Sequence, residues 1–140
     1  MTTASSTGDP GRPPDRPDLV SVFSDAELAY LDEGKLGRLA TVDGAGTPHL
    51  VPIGWRYNPD LDTIDVGGRD FERSAKYRHV QANPNVAFVV DDVLPRWRPR
   101  CVTLRGTAVA IAASVEGPDQ GALIRITPTH VISWGLDQQP

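Results

Sequence analysis

The chain has 140 residues, a formal net charge of −4, 39% hydrophobic and 23% charged residues. That length suits one domain with a single core, and an acidic balance argues against a nucleic-acid-coating surface while leaving room for a local cationic pocket. Cys101 is the sole cysteine, which excludes an intramolecular disulfide and a cysteine-based metal site and suits a reducing cytoplasm.

Residues 1–18, MTTASSTGDPGRPPDRPD, are rich in Pro, Gly, Ser and Asp and read as a disordered tail. They lack the apolar segment of a signal peptide, and no apolar run in the chain approaches the ~20 residues that span a bilayer. A cytoplasmic protein is expected, with no membrane partner and one domain over 19–137.

Ser24 followed by Glu27 forms the pattern of a capping box, and Phe23 with Leu28 that of a hydrophobic staple, so a helix begins there and stops at Gly34. Residues 36–42 and 49–57 are rich in β-formers and flank the Gly-rich DGAGTP, the pattern of a hairpin. Pro52 demotes the second run to an edge strand. A short strand follows over 62–67, then a helix over 70–82 that ends before Pro84.

The run NVAFVV, 85–90, reads as a strand buried on both faces, and DDVLPRWRP as a loop. A long strand over 100–111 carries a bulge or bend at Gly106. Two last strands, 122–126 and 129–134, are split by Thr127-Pro128. Six or seven strands with two helices and few crossovers predict a mainly antiparallel β-barrel or sandwich.

The chemistry-bearing stretch is VGGRDFERSAKYRH, 66–79. On a helix Arg69, Arg73 and Lys76 share a stripe. Gly67-Gly68 lets backbone approach closely, and the unpaired N–H groups of a helix entrance suit a phosphate or carboxylate. The same residues also read as a solvated face, and spacing leaves both readings open. No aromatic platform is interleaved with these charges, which disfavours nucleic acid. His49, His79 and His130 are scattered without metal-ligand spacing, so no metal is expected. Cys101 reads as buried and inert, and Trp55 and Trp134 as core or subunit-interface residues. Trp97, between Arg96 and Arg98, either covers a flat ligand or packs at an interface.

The segments GRLATVDGAGTPHLVPIGW, KYRHVQANPNVAFVVDD and RCVTLRGTAV resemble the pyridoxamine 5′-phosphate oxidase-like proteins, which have a split β-barrel fold. GRDFERSAKYRHVQANPNVAFVVDDV, WRPRCVTLRGTA and IRITPTHVISWG look like the deazaflavin (coenzyme F420) branch, in the subgroup with the oxytetracycline-biosynthesis reductase. The resemblance covers 19–137.

It implies a six- to seven-stranded antiparallel split barrel and a homodimer with its cofactor at the subunit interface. Val51, Pro52 and Ile53 would lie along the cofactor's ring, and Val66, Gly67 and Gly68 beside its ribityl chain. Arg69 and Lys76 would hold its phosphate, with Ser74 as a hydroxyl donor. Trp97 and Arg98 would cover the cofactor of the other subunit, and Arg73, Arg78, Arg96 and Arg98 are available for a polyglutamate tail. The implied reaction is hydride transfer from reduced F420 to a planar conjugated small molecule, of enone or quinone type. An FMN-binding oxidoreductase of the same fold and a non-catalytic cofactor carrier are the alternatives.

Overall fold

The computed structural model describes residues 20–114 and 121–140. The N-terminal helix α1, Asp25–Leu31, starts as its sequence requires. Ser24 Oγ accepts from the Glu27 amide at 3.1 Å, and Glu27 Oε1 accepts from the Ser24 amide at 2.8 Å. The chain leaves α1 through Gly34, whose φ of +74° is left-handed and cheapest for glycine.

Strands β1, Gly37–Val42, and β2, Pro48–Ile53, form the expected hairpin. Its turn is tied by Asp43 Oδ1, which accepts from the Ala45 and Thr47 amides at 2.9 Å each. The second run does not continue to residue 57. It breaks at Gly54-Trp55, and β3, Arg56–Asn58, pairs instead with β4, Thr63–Gly67. Trp55 explains the break: its indole N–H donates to Lys35 O at 2.8 Å, and its ring packs edge-on against Phe88 at 5.5 Å. Gly37 makes room, since a Cβ there would lie 2.6 Å from Phe88 and 2.8 Å from Trp55.

The remaining strands are β5, Asn85–Leu94, β6, Arg98–Ile111, and β7, Leu123–Trp134. Every pairing is antiparallel, in the order β2-β1-β5-β6-β7-β4-β3. The two edge strands are therefore β2 and β3, separated in sequence by only Gly54 and Trp55. Two residues span no more than ~10 Å, so the sheet must curl until its edges nearly meet. The fold is a mainly β half-barrel with two helices. The edge position read from Pro52 holds.

Three further expectations change. The loop expected over 91–99 is instead the ends of β5 and β6, joined at Pro95-Arg96-Trp97; Asp92 faces Arg100 across the ladder, which holds this charged stretch in strand form. The last two strands are one, because Pro128 sits at a bulge: Arg105 pairs with His130 and Gly106 with Pro128. A Cβ on Gly106 would lie 2.2 Å from Thr127 O, so the bulge needs glycine. The helix over 70–82 is a 3-10 turn, Phe71–Arg73, followed by α2, Ala75–Ala82, because Ser74 leaves helical geometry and caps α2.

The core is centred on Leu39, Ile64, Phe88, Val90, Val102, Leu104, Ile124 and Ile126. Tyr30 and Leu31 of α1 and Tyr77 and Val80 of α2 join it. On β5 only Val86, Phe88, Val90 and Leu94 are buried, so that strand is covered fully on one face and partly on the other. Cys101 is buried, which pushes its thiol pKa up. Among the described residues no helix is long and apolar enough to cross a membrane.

Candidate cofactor site

Two clefts flank the end of β4 and the start of α2. The first, of about 390 Å³, is lined by Gly54, Trp55, Arg56, Asp65, Val66, Gly67, Gly68, Gly121, Ala122 and Leu123. Its glycines keep the wall low, although a Cβ on Gly67 would meet Ala122 O at 3.4 Å and one on Gly68 would meet Phe71 at 3.8 Å, both ordinary contacts. Beneath it the buried Asp65 accepts from Arg125 Nε at 3.1 Å and Nη2 at 3.0 Å, from Asn58 at 3.1 Å and from Thr63 at 2.9 Å. Burial works to raise the Asp65 pKa, but these hydrogen bonds outweigh it and hold the carboxyl below its usual range. The wall is thus a braced ion pair, rigid beneath the twin glycines.

The second cleft, of about 230 Å³, lies between β2 and α2 and is lined by Thr41, His49, Val51, Ala75, Lys76 and His79. Phe71 is buried, lines neither cleft and sits beside one lining residue of each. Its ring is 3.8 Å from where a Gly68 Cβ would stand, and Lys76 Nζ lies over it at 5.0 Å from the centroid. Ammonium over an aromatic face is a favourable contact that also fixes where the charge sits.

The sequence-derived candidates divide between these clefts. Val66, Gly67 and Gly68 line the first, and Val51 and Lys76 the second. Pro52 is exposed on the outer edge strand, while the Ile53 side chain is buried in the core, leaving its backbone as the part a ligand could meet. Arg69 is exposed, precedes the helix and lines neither cleft. The expected Arg69–Arg73–Lys76 stripe does not form, since α2 begins only at Ala75. Ser74 Oγ donates to Phe71 O at 2.6 Å and accepts from the Tyr77 amide at 3.4 Å, so its proton is already committed to the turn.

Trp97 projects from the β5–β6 turn with 80% of its surface exposed. Arg96 and Trp97 both adopt left-handed backbone, with φ of 67° and 55°, which costs roughly 1–2 kcal/mol for each non-glycine residue. Arg98 braces that turn, donating to Pro95 O at 3.0 Å and Gln139 O at 3.2 Å. Neither Trp97 nor Arg98 lines either cleft of its own chain. Arg73 and Arg78 are joined beside α2, where the Arg78 guanidinium donates to Arg73 O at 3.0 Å. Arg96 and Arg98 lie apart from them on the β5–β6 turn.

Sequence reasoning missed Thr41, His49, Phe71 and His79. The signal was available for two of them: His79 follows Lys76 by three residues on a helix, and His49 precedes Val51 by two on a strand. The rings of His49 and His79 stack at 4.3 Å between centroids, tilted by 37°. His49 Nε2 is 2.9 Å from Asp43 Oδ2, and His79 Nδ1 is 2.8 Å from Thr41 Oγ1. The His49 hydrogen bond, with the Thr47 amide second, lowers the Asp43 pKa to about 2. Among the described residues no group of three or more His, Cys, Asp or Glu could hold a metal ion.

The sequence profile of the pyridoxamine 5′-phosphate oxidase family matches residues 23–135. The chain belongs to that family. Within reach of it, the chain is 40% identical over 123 residues to the 5a,11a-dehydrotetracycline/5a,11a-dehydrooxytetracycline reductase of Streptomyces rimosus, covering 82% of this chain and 84% of that one. That likeness, over more than four-fifths of both chains, supports a reductase. Among solved structures, an FAD-binding protein from Mycobacterium smegmatis superposes with a TM-score of 0.60 at 25% identity, covering 82% of this chain and 97% of that chain. An F420 reductase superposes with a TM-score of 0.58 at 21% identity over 74% of this chain and 94% of its own, which speaks for the shared fold. In this pyridoxamine 5′-phosphate oxidase family member, the clefts beside Gly67-Gly68 and Lys76 are the candidate cofactor site.

Proposed function

We propose that this chain is a reductase that uses the reduced deazaflavin coenzyme F420 to reduce a C=C bond in a planar, conjugated small molecule of enone or quinone type. The observation that carries the reading is the 40% identity to the dehydrotetracycline reductase. The site fits such a group. The low glycine wall at Gly67-Gly68 and the Lys76 ammonium both lie beside Phe71, and Val51 of the outer strand β2 lines the Lys76 cleft. When bound, the reduced deazaflavin supplies the hydride.

The protein's own residues orient and enclose. Lys76 anchors a phosphoryl group through a charge-assisted contact. Val51 and the backbone of Pro52 and Ile53 present a flat surface without a proline N–H to satisfy. Gly67 and Gly68 let the ligand chain approach the backbone. No nucleophile is required of the protein, and Cys101 is buried away from both clefts.

The reading includes a homodimer. Trp97 and Arg98 then close the site of the neighbouring subunit, which gives the strained, exposed indole a role. The likeness to an FAD-binding protein favours a flavin as the second reading. Equilibrium fluorescence titration with F420, set beside FMN and FAD, separates them. Saturable F420 quenching with hydride transfer to enones or quinones is expected. Binding without transfer to any acceptor would mark a carrier instead.

A further inference from the structure

The cleft of Lys76 contains two imidazoles that the proposed function does not use. Each ring is anchored by one nitrogen: His49 Nε2 on Asp43, and His79 Nδ1 on Thr41. The other two nitrogens, His49 Nδ1 and His79 Nε2, have no hydrogen-bond partner among the described residues. The charged groups facing the rings are few. Asp43 comes from the β1–β2 turn and Lys76 from α2, while β1 offers only the Thr41 hydroxyl and β2 only the apolar Val51. At about 230 Å³ the cleft is smaller than the ~300–1,000 Å³ that encloses a whole drug-sized ligand, and it suits a head group.

Resting on the reading of Lys76 as an anion anchor, we propose that His49 and His79 complete a phosphoryl-anion site with Lys76, and that filling this site takes up a proton. The linkage follows from the tautomer that Asp43 imposes. Asp43 is an ionised carboxylate and accepts a hydrogen bond, so the neutral His49 ring keeps its proton on Nε2. Its Nδ1 then carries a lone pair, which repels an anion. Only the imidazolium presents an Nδ1–H donor. With both rings protonated, three positive groups would share the cleft, the two rings only 4.3 Å apart between centroids. An anion seated among the three groups removes the repulsion, so binding and protonation favour each other. Histidine titrates in the range where this matters. His79 donates through Nε2 while Thr41 occupies its Nδ1.

Sulfate tests this directly, because its charge stays constant from about pH 5 to 8, the range over which histidine changes charge. Sulfate affinity, followed by histidine-selective NMR, is expected to rise as pH falls, by up to about tenfold per pH unit for one linked proton. In the wild-type protein the His49 and His79 ring signals should titrate at higher pH when sulfate is present. His49→Gln keeps a donor to Asp43 without a titratable ring, and should flatten the pH dependence. Lys76→Ala should weaken binding at every pH and keep the slope. Circular dichroism and melting curves verify that each variant folds.

A flat wild-type profile overturns the proposal, as does an unchanged slope in the His49→Gln/His79→Asn double variant. A parallel F420 titration keeps the two readings apart. Sulfate binding with the expected slope but no F420 binding contradicts the function alone; F420 binding with both profiles flat contradicts the proton linkage alone.

Discussion

Lys76 carries the anchoring charge in the proposed complex, and its ammonium is already held over the Phe71 ring. Lys76→Ala is expected to weaken cofactor binding by about 1.5–3 kcal/mol, the worth of a hydrogen bond to a charged group; a solvated lysine would change it by almost nothing. Asp65 makes a different prediction. It is 3% exposed and depends on Arg125 for two hydrogen bonds, so Arg125→Ala leaves a buried charge short of its main partner. A loss of about 3 kcal/mol in urea unfolding is expected, at the low end for a broken buried pair because Asn58 and Thr63 remain. Residue type singled out the twin glycines and Lys76 as candidates, and the structure sets the glycines on one cleft and Lys76 on the next. It hid the Ser74 hydroxyl's commitment to Phe71 O and the meeting of His49 with His79, because both depend on how β2 and α2 pack.

At the scale of elements, local chemistry predicted what it controls. The capping box of α1 forms as written, and Ser24→Ala should lower stability by about 1 kcal/mol in thermal unfolding. The β1–β2 hairpin and the Gly106 bulge were equally legible, as each is set by turn residues or by one close backbone approach. The ends of β5 and β6 over 91–99 were not, since Asp91, Asp92 and Arg98 have no strand-like pattern and are held by cross-strand pairing, Asp92 to the Arg100 that the strand pattern did include. The turn between them carries two left-handed residues. Trp97→Asn should leave the fold at least as stable, because Asn accepts that backbone more readily than Trp. If the indole covers a neighbouring subunit's site, the same change should cost about 1 kcal/mol or more of cofactor binding. Size-exclusion chromatography with light scattering reports whether that second subunit is present.

For the whole molecule, carboxylates set the acid limit. Asp92 is lowered to about 2, chiefly by the Arg100 hydrogen bond, with the Tyr30 hydroxyl adding to it against the opposing effect of burial. Asp65 is lowered as well. A carboxyl whose folded pKa is depressed stabilises the fold above its unfolded value near 3.9 and loses that contribution as pH falls through the folded value. Melting temperature should therefore hold steady from neutral pH down to about 5 on account of these groups, and fall between about 4 and 2. The curl that brings β2 and β3 near each other was only partly legible, because no local signal tells a barrel from a sandwich; the two-residue link at Gly54-Trp55 decides it. In the proposed complex the glycine wall and Lys76, linked through the buried Phe71, hold one phosphorylated deazaflavin. Equilibrium fluorescence titration of the wild-type protein and Lys76→Ala with F420 tests it most directly: saturable binding that Lys76→Ala weakens at least tenfold is predicted, whereas no F420 binding by the folded wild-type protein, or equal affinity in the variant, contradicts it.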